Sequence, residues 1–175
     1  ALFCHSPYTC SPRTIRAIKD VARRHNALFL IHLSETSEER LIISKRYGTA
    51  PVFYLEALGV LDAMTVAVHC NWLDGEEIAC LAKNQVKVSH NPQSNMKLAT
   101  GVGPVPALLA AGVTVGLGTD GCASNNDHDM FGEMDSAAKL HKVFHNDPRV
   151  LSAAAVVRMA TADGAKVLGL EGTTG

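Results

Sequence analysis

Short, mostly apolar runs alternate along this chain with stretches whose apolar positions recur every three or four residues. Residues 27–33, 65–70, 86–89 and 113–117 are brief runs, mostly rich in β-branched or aromatic side chains. Runs of that length and composition read as buried strands. Residues 1–5 resemble the end of a fifth strand. Helical signals fill the gaps. Ser11-Pro12 supplies an N-cap and a first-turn proline, and Ile15, Ile18, Val21 and Ala22 then repeat at helical spacing to about Arg24. Thr36 or Ser37 caps a helix that Gly48 ends, and residues 51–58 form a second, shorter one with Gly59 beyond it. Asp74 and Glu77 have capping-box spacing, opening a helix to about Asn84. Residues 90–103 read as a long polar loop, 104–111 as a helix stopped by Gly112, and Gly116–Gly121 as a glycine-rich turn. Three further helices are expected at 129–145, 152–160 and 163–168, and the last five residues carry no pattern.

The order is a strand remnant, a helix and four strand–helix units. Alternation of this kind gives an α/β fold with a parallel sheet and right-handed crossovers. A closed (β/α)8 TIM barrel needs eight strands and about 250 residues. The expectation is therefore one partial barrel domain over residues 1–175, about half a barrel, truncated at both ends. An open doubly wound sheet is the alternative, but no Gly-x-Gly-x-x-Gly follows any strand.

Composition narrows the function. A net charge of −1 with scattered Lys and Arg favours neither nucleic acid nor an anionic membrane. No apolar run approaches the roughly 20 residues that span a bilayer. Five cysteines without a C-x-x-C pair argue against a disulfide framework or a four-cysteine zinc site. Cys4, Cys70 and Cys80 read as buried free thiols, which fits a reducing cytoplasm.

Chemistry gathers where the apolar runs end. His32 falls at the end of the run 27–33 and Glu35 just past it, His69 ends the next strand, and Asp120 follows 113–117. Side chains at the C-terminal ends of parallel strands meet on one rim, where barrel enzymes keep their active sites. His32 reads as a metal ligand or as a core histidine bonded to backbone. Asp120 would be a costly unpaired carboxylate after so apolar a strand unless a metal or a proton-transfer role occupies it. The other reading is a turn-former. His69 is a ligand, a donor to developing charge, or a strand-end histidine facing a loop. Glu35 either protonates a ring nitrogen or merely favours a helix start. His5 falls on the same rim, as a substrate contact or a turn residue. His90 and Asn91 open the long loop, with substrate contact and internal hydrogen bonding equally open. His25, His128, His141 and His145 read as solvated. No G-x-S-x-G elbow or phosphate loop is present.

The stretches IHLSE, VHCNWL, SHNPQSNMKLATGVGPVPALLAAG and GLGTDGCASNNDHDMF closely resemble the amidohydrolase superfamily. Within it they look most like the 5′-methylthioadenosine/S-adenosylhomocysteine deaminases and their chlorohydrolase relatives. The resemblance implies strands four to eight of a (β/α)8 barrel holding one divalent metal, zinc before iron. It implies His32 as the ligand from strand five and Asp120 as ligand and proton shuttle from strand eight. His69 on strand six would contact the attacking hydroxide or the tetrahedral centre. Glu35 would bind and protonate the heterocycle, and His5 on strand four would bind the substrate's sugar or tail. Metal-bound hydroxide would attack the amine-bearing ring carbon of a small aminated heterocycle and release ammonia. The family's His-x-His pair and small β-sandwich have no counterpart here. Three activities follow as expectations. They are an adenosine-like nucleoside deaminase, a triazine chlorohydrolase/aminohydrolase or guanine deaminase, and an inert half-barrel that self-associates through its open edges.

Overall fold

The computed structural model describes residues 1–175. Five strands, β1 (Leu2–Cys4), β2 (Phe29–Leu33), β3 (Thr65–His69), β4 (Lys87–His90) and β5 (Val115–Leu117), form one sheet in sequential order. Every neighbouring pair is parallel. A doubly wound sheet reverses its strand order at a switch point. This sheet never reverses, so each right-handed crossover turns the same way and carries the helices between strands on one face. The result is five consecutive strands of a barrel wall.

The helices are α1 (Pro12–Arg24), α2 (Ser37–Tyr47), α3 (Pro51–Ala57), α4 (Gly75–Lys83), α5 (Pro92–Lys97), α6 (Val105–Ala110), α7 (Cys122–Asn125), α8 (Met130–His145), α9 (Ala153–Ala160) and α10 (Ala162–Val167). Local chemistry sets their starts. Ser11 accepts from Thr14 N, Thr36 accepts from Glu39 N, and Asp74 and Glu77 complete a capping box.

Strand pleating sorts the side chains. In β2, Phe29, Ile31 and Leu33 are fully buried in a 27-residue apolar cluster with residues of the helices. Leu30 and His32 face the opposite way, into an open trough of about 710 Å³. Phe3, Val66, Val68, Ser89 and Asp120 line the same trough. The register pairs Leu33 with His69 and His90 with Leu117, so the strands end level along one rim.

Three features depart from the sequence reading. The expected loop at 90–103 contains α5, whose inward residues Ser94 and Asn95 are polar and buried. A helix that buries polar groups shows no apolar period, so its sequence reads as loop. The glycine-rich turn runs directly into α7, a helix of one turn. His141, expected in solvent, is fully buried. It lies one turn from buried Ala137, and its Nε2 is 3.2 Å from His90 Nε2. Cys4, Cys70 and Cys80 are buried free thiols, and no helix is long and apolar enough to cross a membrane.

Candidate active site

Three strand ends deliver three donors to one place. His32 comes from the trough face of β2, His69 is the last residue of β3, and Asp120 lies three residues past β5. One ligand atom from each lies within 4.8 Å of the others. His69 Nε2 and Asp120 Oδ2 are 3.9 Å apart, and the His32 and His69 ring centres 5.3 Å. Donors sharing one zinc-sized ion at about 2.1 Å lie no more than about 4.2 Å apart. In a tetrahedral site the same donors lie about 3.4 Å apart, so the widest pair would close by up to about 1.4 Å to share one ion. Imidazole and carboxylate are the donors that zinc and iron accept.

The electrostatics suit a cation. Burial, then His69 and His5, push the His32 pKa down to about 4, which leaves its ring neutral near neutral pH. Burial acts to raise the Asp120 pKa. Hydrogen bonds from Ser94 and Gly121 N and the neighbouring histidines outweigh it and hold the pKa below the usual value. Asp120 Oδ2 accepts from Ser94 Oγ at 2.7 Å, and Oδ1 accepts from Gly121 N at 2.8 Å.

The backbone at these ends is unusual. Ser34, His69, Cys70 and Asp120 all have left-handed φ, between +49° and +72°. Each such residue costs about 1–3 kcal/mol, and clusters of them mark sites where side-chain aim matters more than local stability.

Glu35 lies outside the three mutually close donors. It is half-buried on the turn between β2 and α2. Glu39 grips that turn, accepting from Ser34 N at 2.9 Å and Glu35 N at 3.0 Å. His5 is exposed on the same rim, its ring centre 5.1 Å from that of His32 and its Nδ1 2.7 Å from Thr9 Oγ1. His90 is buried against His141, away from the rim opening. Asn91 is also buried, packed so closely on Gly118 that a Cβ there would lie 2.5 Å from the Asn91 side-chain amide.

Four contributing residues were not singled out from the sequence: Asn71, Ser94, Asn95 and Thr100. His69 Nδ1 is 2.9 Å from Asn95 Oδ1, Asn95 Nδ2 donates to Asn71 Oδ1, and Asn71 Nδ2 donates to Glu35 O and Thr100 Oγ1. The available signal was the polar richness of the stretch after β4, which marks a segment held by side-chain hydrogen bonds.

Comparison with known proteins finds relatives over nearly the whole chain. The model of the amidohydrolase family matches residues 2–175. A 5-methylthioadenosine/S-adenosylhomocysteine deaminase from Syntrophobacter fumaroxidans is 52% identical over 171 residues, covering 98% of this chain and 39% of that protein. A 5′-deoxyadenosine deaminase from Methanothermobacter thermautotrophicus is also 52% identical, with 98% of this chain and 40% of that protein covered. The crystal structure of an adenosine deaminase from Xanthomonas campestris with bound zinc superposes with a TM-score of 0.95 at 39% identity. It covers 99% of this chain and 39% of that one. The chain thus spans about two fifths of the length of the relatives it matches. With five sequential parallel strands, a shared rim and a family match over nearly every residue, the chain belongs to the amidohydrolase family.

Proposed function

We propose that this chain carries the later-strand half of the active site of a metal-dependent hydrolytic deaminase acting on an adenosine-like nucleoside of the methylthioadenosine/S-adenosylhomocysteine type. The observation that carries the reading is the convergence of His32, His69 and Asp120 within 4.8 Å. When bound, a divalent ion, zinc before iron, supplies the Lewis acidity that makes water nucleophilic near neutral pH. His32 and Asp120 would hold it. Asp120, a carboxylate with a lowered pKa, takes the proton from water and passes it on. His69 contacts the attacking oxygen or the tetrahedral centre that it forms at the ring carbon. Glu35, on the turn clamped by Glu39, protonates the ring nitrogen beside that carbon. His5 contacts the sugar or tail from the exposed rim. Water adds to the amine-bearing ring carbon, the carbon–nitrogen bond breaks, and ammonia leaves. The names of the relatives support the nucleoside, and the zinc in the Xanthomonas structure supports the metal.

The test grafts these 175 residues in place of the matching stretch of the Syntrophobacter deaminase. Ammonia release from methylthioadenosine, S-adenosylhomocysteine and 5′-deoxyadenosine is expected, with loss in Asp120→Asn and Glu35→Gln. A folded, zinc-loaded graft silent on all three nucleosides overturns the reading. Turnover of a triazine or guanine instead moves it to those substrates.

A second reading concerns the 175-residue chain alone. Edges β1 and β5 each have one unpaired side, and the apolar trough stands open. Such surfaces favour pairing with another copy, giving an inert self-associated half-barrel. A monomer mass that does not change with concentration in sedimentation would overturn it.

A further inference from the structure

We infer that Asn95, oriented through Asn71 by the backbone carbonyl of Glu35, fixes the ring tautomer of His69, placing its proton on Nδ1 and turning a bare Nε2 toward Asp120. The catalytic meaning of this assignment rests on the deaminase reading; the tautomer itself does not.

The argument starts from a group that cannot change its role. A backbone carbonyl only accepts. Glu35 O lies 3.0 Å from Asn71 Nδ2, so the Asn71 amide points its nitrogen that way and its oxygen away. That oxygen takes Asn95 Nδ2 at 2.8 Å. Asn95 Oδ1 is left to face His69 Nδ1 at 2.9 Å, and an oxygen acceptor requires a hydrogen on that nitrogen. Thr100 closes the circuit: its hydroxyl accepts from Asn71 Nδ2 at 3.2 Å and reaches Asn95 Oδ1 at 3.4 Å. Reversing Asn95 would set two oxygens against each other at Asn71. Reversing Asn71 as well would set its oxygen against Glu35 O. Asn95 is 1% exposed and Asn71 6%, so water cannot repair either mismatch cheaply.

At the other end of the ring, the bare Nε2 faces Asp120 Oδ2 across 3.9 Å. Two acceptors thus face the same gap. His69 in its neutral form therefore enters as a ligand or proton acceptor. It donates toward the reacting carbon only after taking a proton. Asn95 is a positioning residue that acts through His69, and the same short helix positions Asp120 through Ser94.

The experiment is long-range proton–nitrogen correlation on the 15N-histidine-labelled chain at pH 8, without metal. Nδ1 of His69 is expected at the shift of a protonated ring nitrogen and Nε2 at that of a bare one. The opposite pattern in the unaltered chain overturns the inference, with no variant needed. Asn95→Ala is expected to shift the ring toward the Nε2–H form, and Asn95→Asp, which keeps an acceptor, to retain Nδ1–H. An unchanged tautomer in Asn95→Ala also overturns it. In the graft, Asn95→Ala is expected to lower kcat by about 10–100-fold with little change in KM. A wrong tautomer in an active graft sinks this inference alone. The expected tautomer in an inactive graft sinks only the deaminase reading.

Discussion

Ser94 Oγ donates to Asp120 Oδ2 across 2.7 Å, tying a buried helix residue to a carboxylate 26 positions later in the chain. With Gly121 N on the other oxygen, the Asp120 carboxylate is held at both ends, while its backbone sits at a left-handed φ of +61°. The turn is aimed by two hydrogen bonds rather than by relaxed backbone geometry.

Removing one of those bonds should loosen the proposed metal site more than the fold. Ser94→Ala is expected to weaken zinc binding by about tenfold, in the range usual for partners of metal ligands. Competition titration against a chromogenic chelator measures it. Zinc should raise the melting temperature of the unaltered chain and leave that of Asp120→Asn unchanged.

Gly118 is a steric requirement. A Cβ there would meet the Asn91 side-chain amide at 2.5 Å and Ser89 Oγ at 2.6 Å. Gly118→Ala should cost about 1–3 kcal/mol by overpacking the strand end. Gly112 faces open space at a φ of +81°, so Gly112→Ala should cost only backbone strain, about 1 kcal/mol. Urea midpoints of the two variants separate the mechanisms.

The buried pair His90 and His141 should make the fold acid-sensitive. Burial, then the partner ring, lowers His90 to about 3. Burial, then His145 and Lys142, lowers His141 to about 4. Their unfolded value is 6.5, so below that pH the unfolded chain binds protons that the folded one refuses. Stability is full above about 6.5 and is lost as pH falls toward 4, by up to about 1.4 kcal/mol per pH unit for each ring. Glu39, raised to about 7 chiefly by burial, works in the opposite sense between 7 and 4.5. The readout is therefore a difference: His141→Phe should flatten the fall in urea midpoint between pH 7 and 5 relative to the unaltered chain.

Lys19 is 1% exposed, and its Nζ donates to Asp62 Oδ1 at 2.6 Å and Thr65 Oγ1 at 2.8 Å. Asp62 is a third exposed and also pairs with Arg23. The two ends of the pair are unequal. Asp62→Ala strands a buried ammonium and should cost on the order of 3 kcal/mol. Lys19→Met leaves Asp62 with Arg23 and water and should cost less. Chemical denaturation of both variants at pH 7 checks the order.

The strands, their parallel order and the caps at Ser11 and Asp74 were legible in the sequence, and the cap at Thr36 to within one residue, because each rests on residues close together in the chain. An apolar run buries itself, a cap binds an amide three residues on, and strand ends in a repeated unit fall on one rim. His32, His69 and Asp120 could be picked out for that reason. Helix α5, the burial of His141 and the circuit from Glu35 O to His69 could not. Their partners lie 24–51 positions away, and their buried residues are polar, so no periodicity announces them. A hydrogen bond between distant segments exists only once packing excludes water and brings donor to acceptor, so the tertiary fold alone decided how the site is aimed.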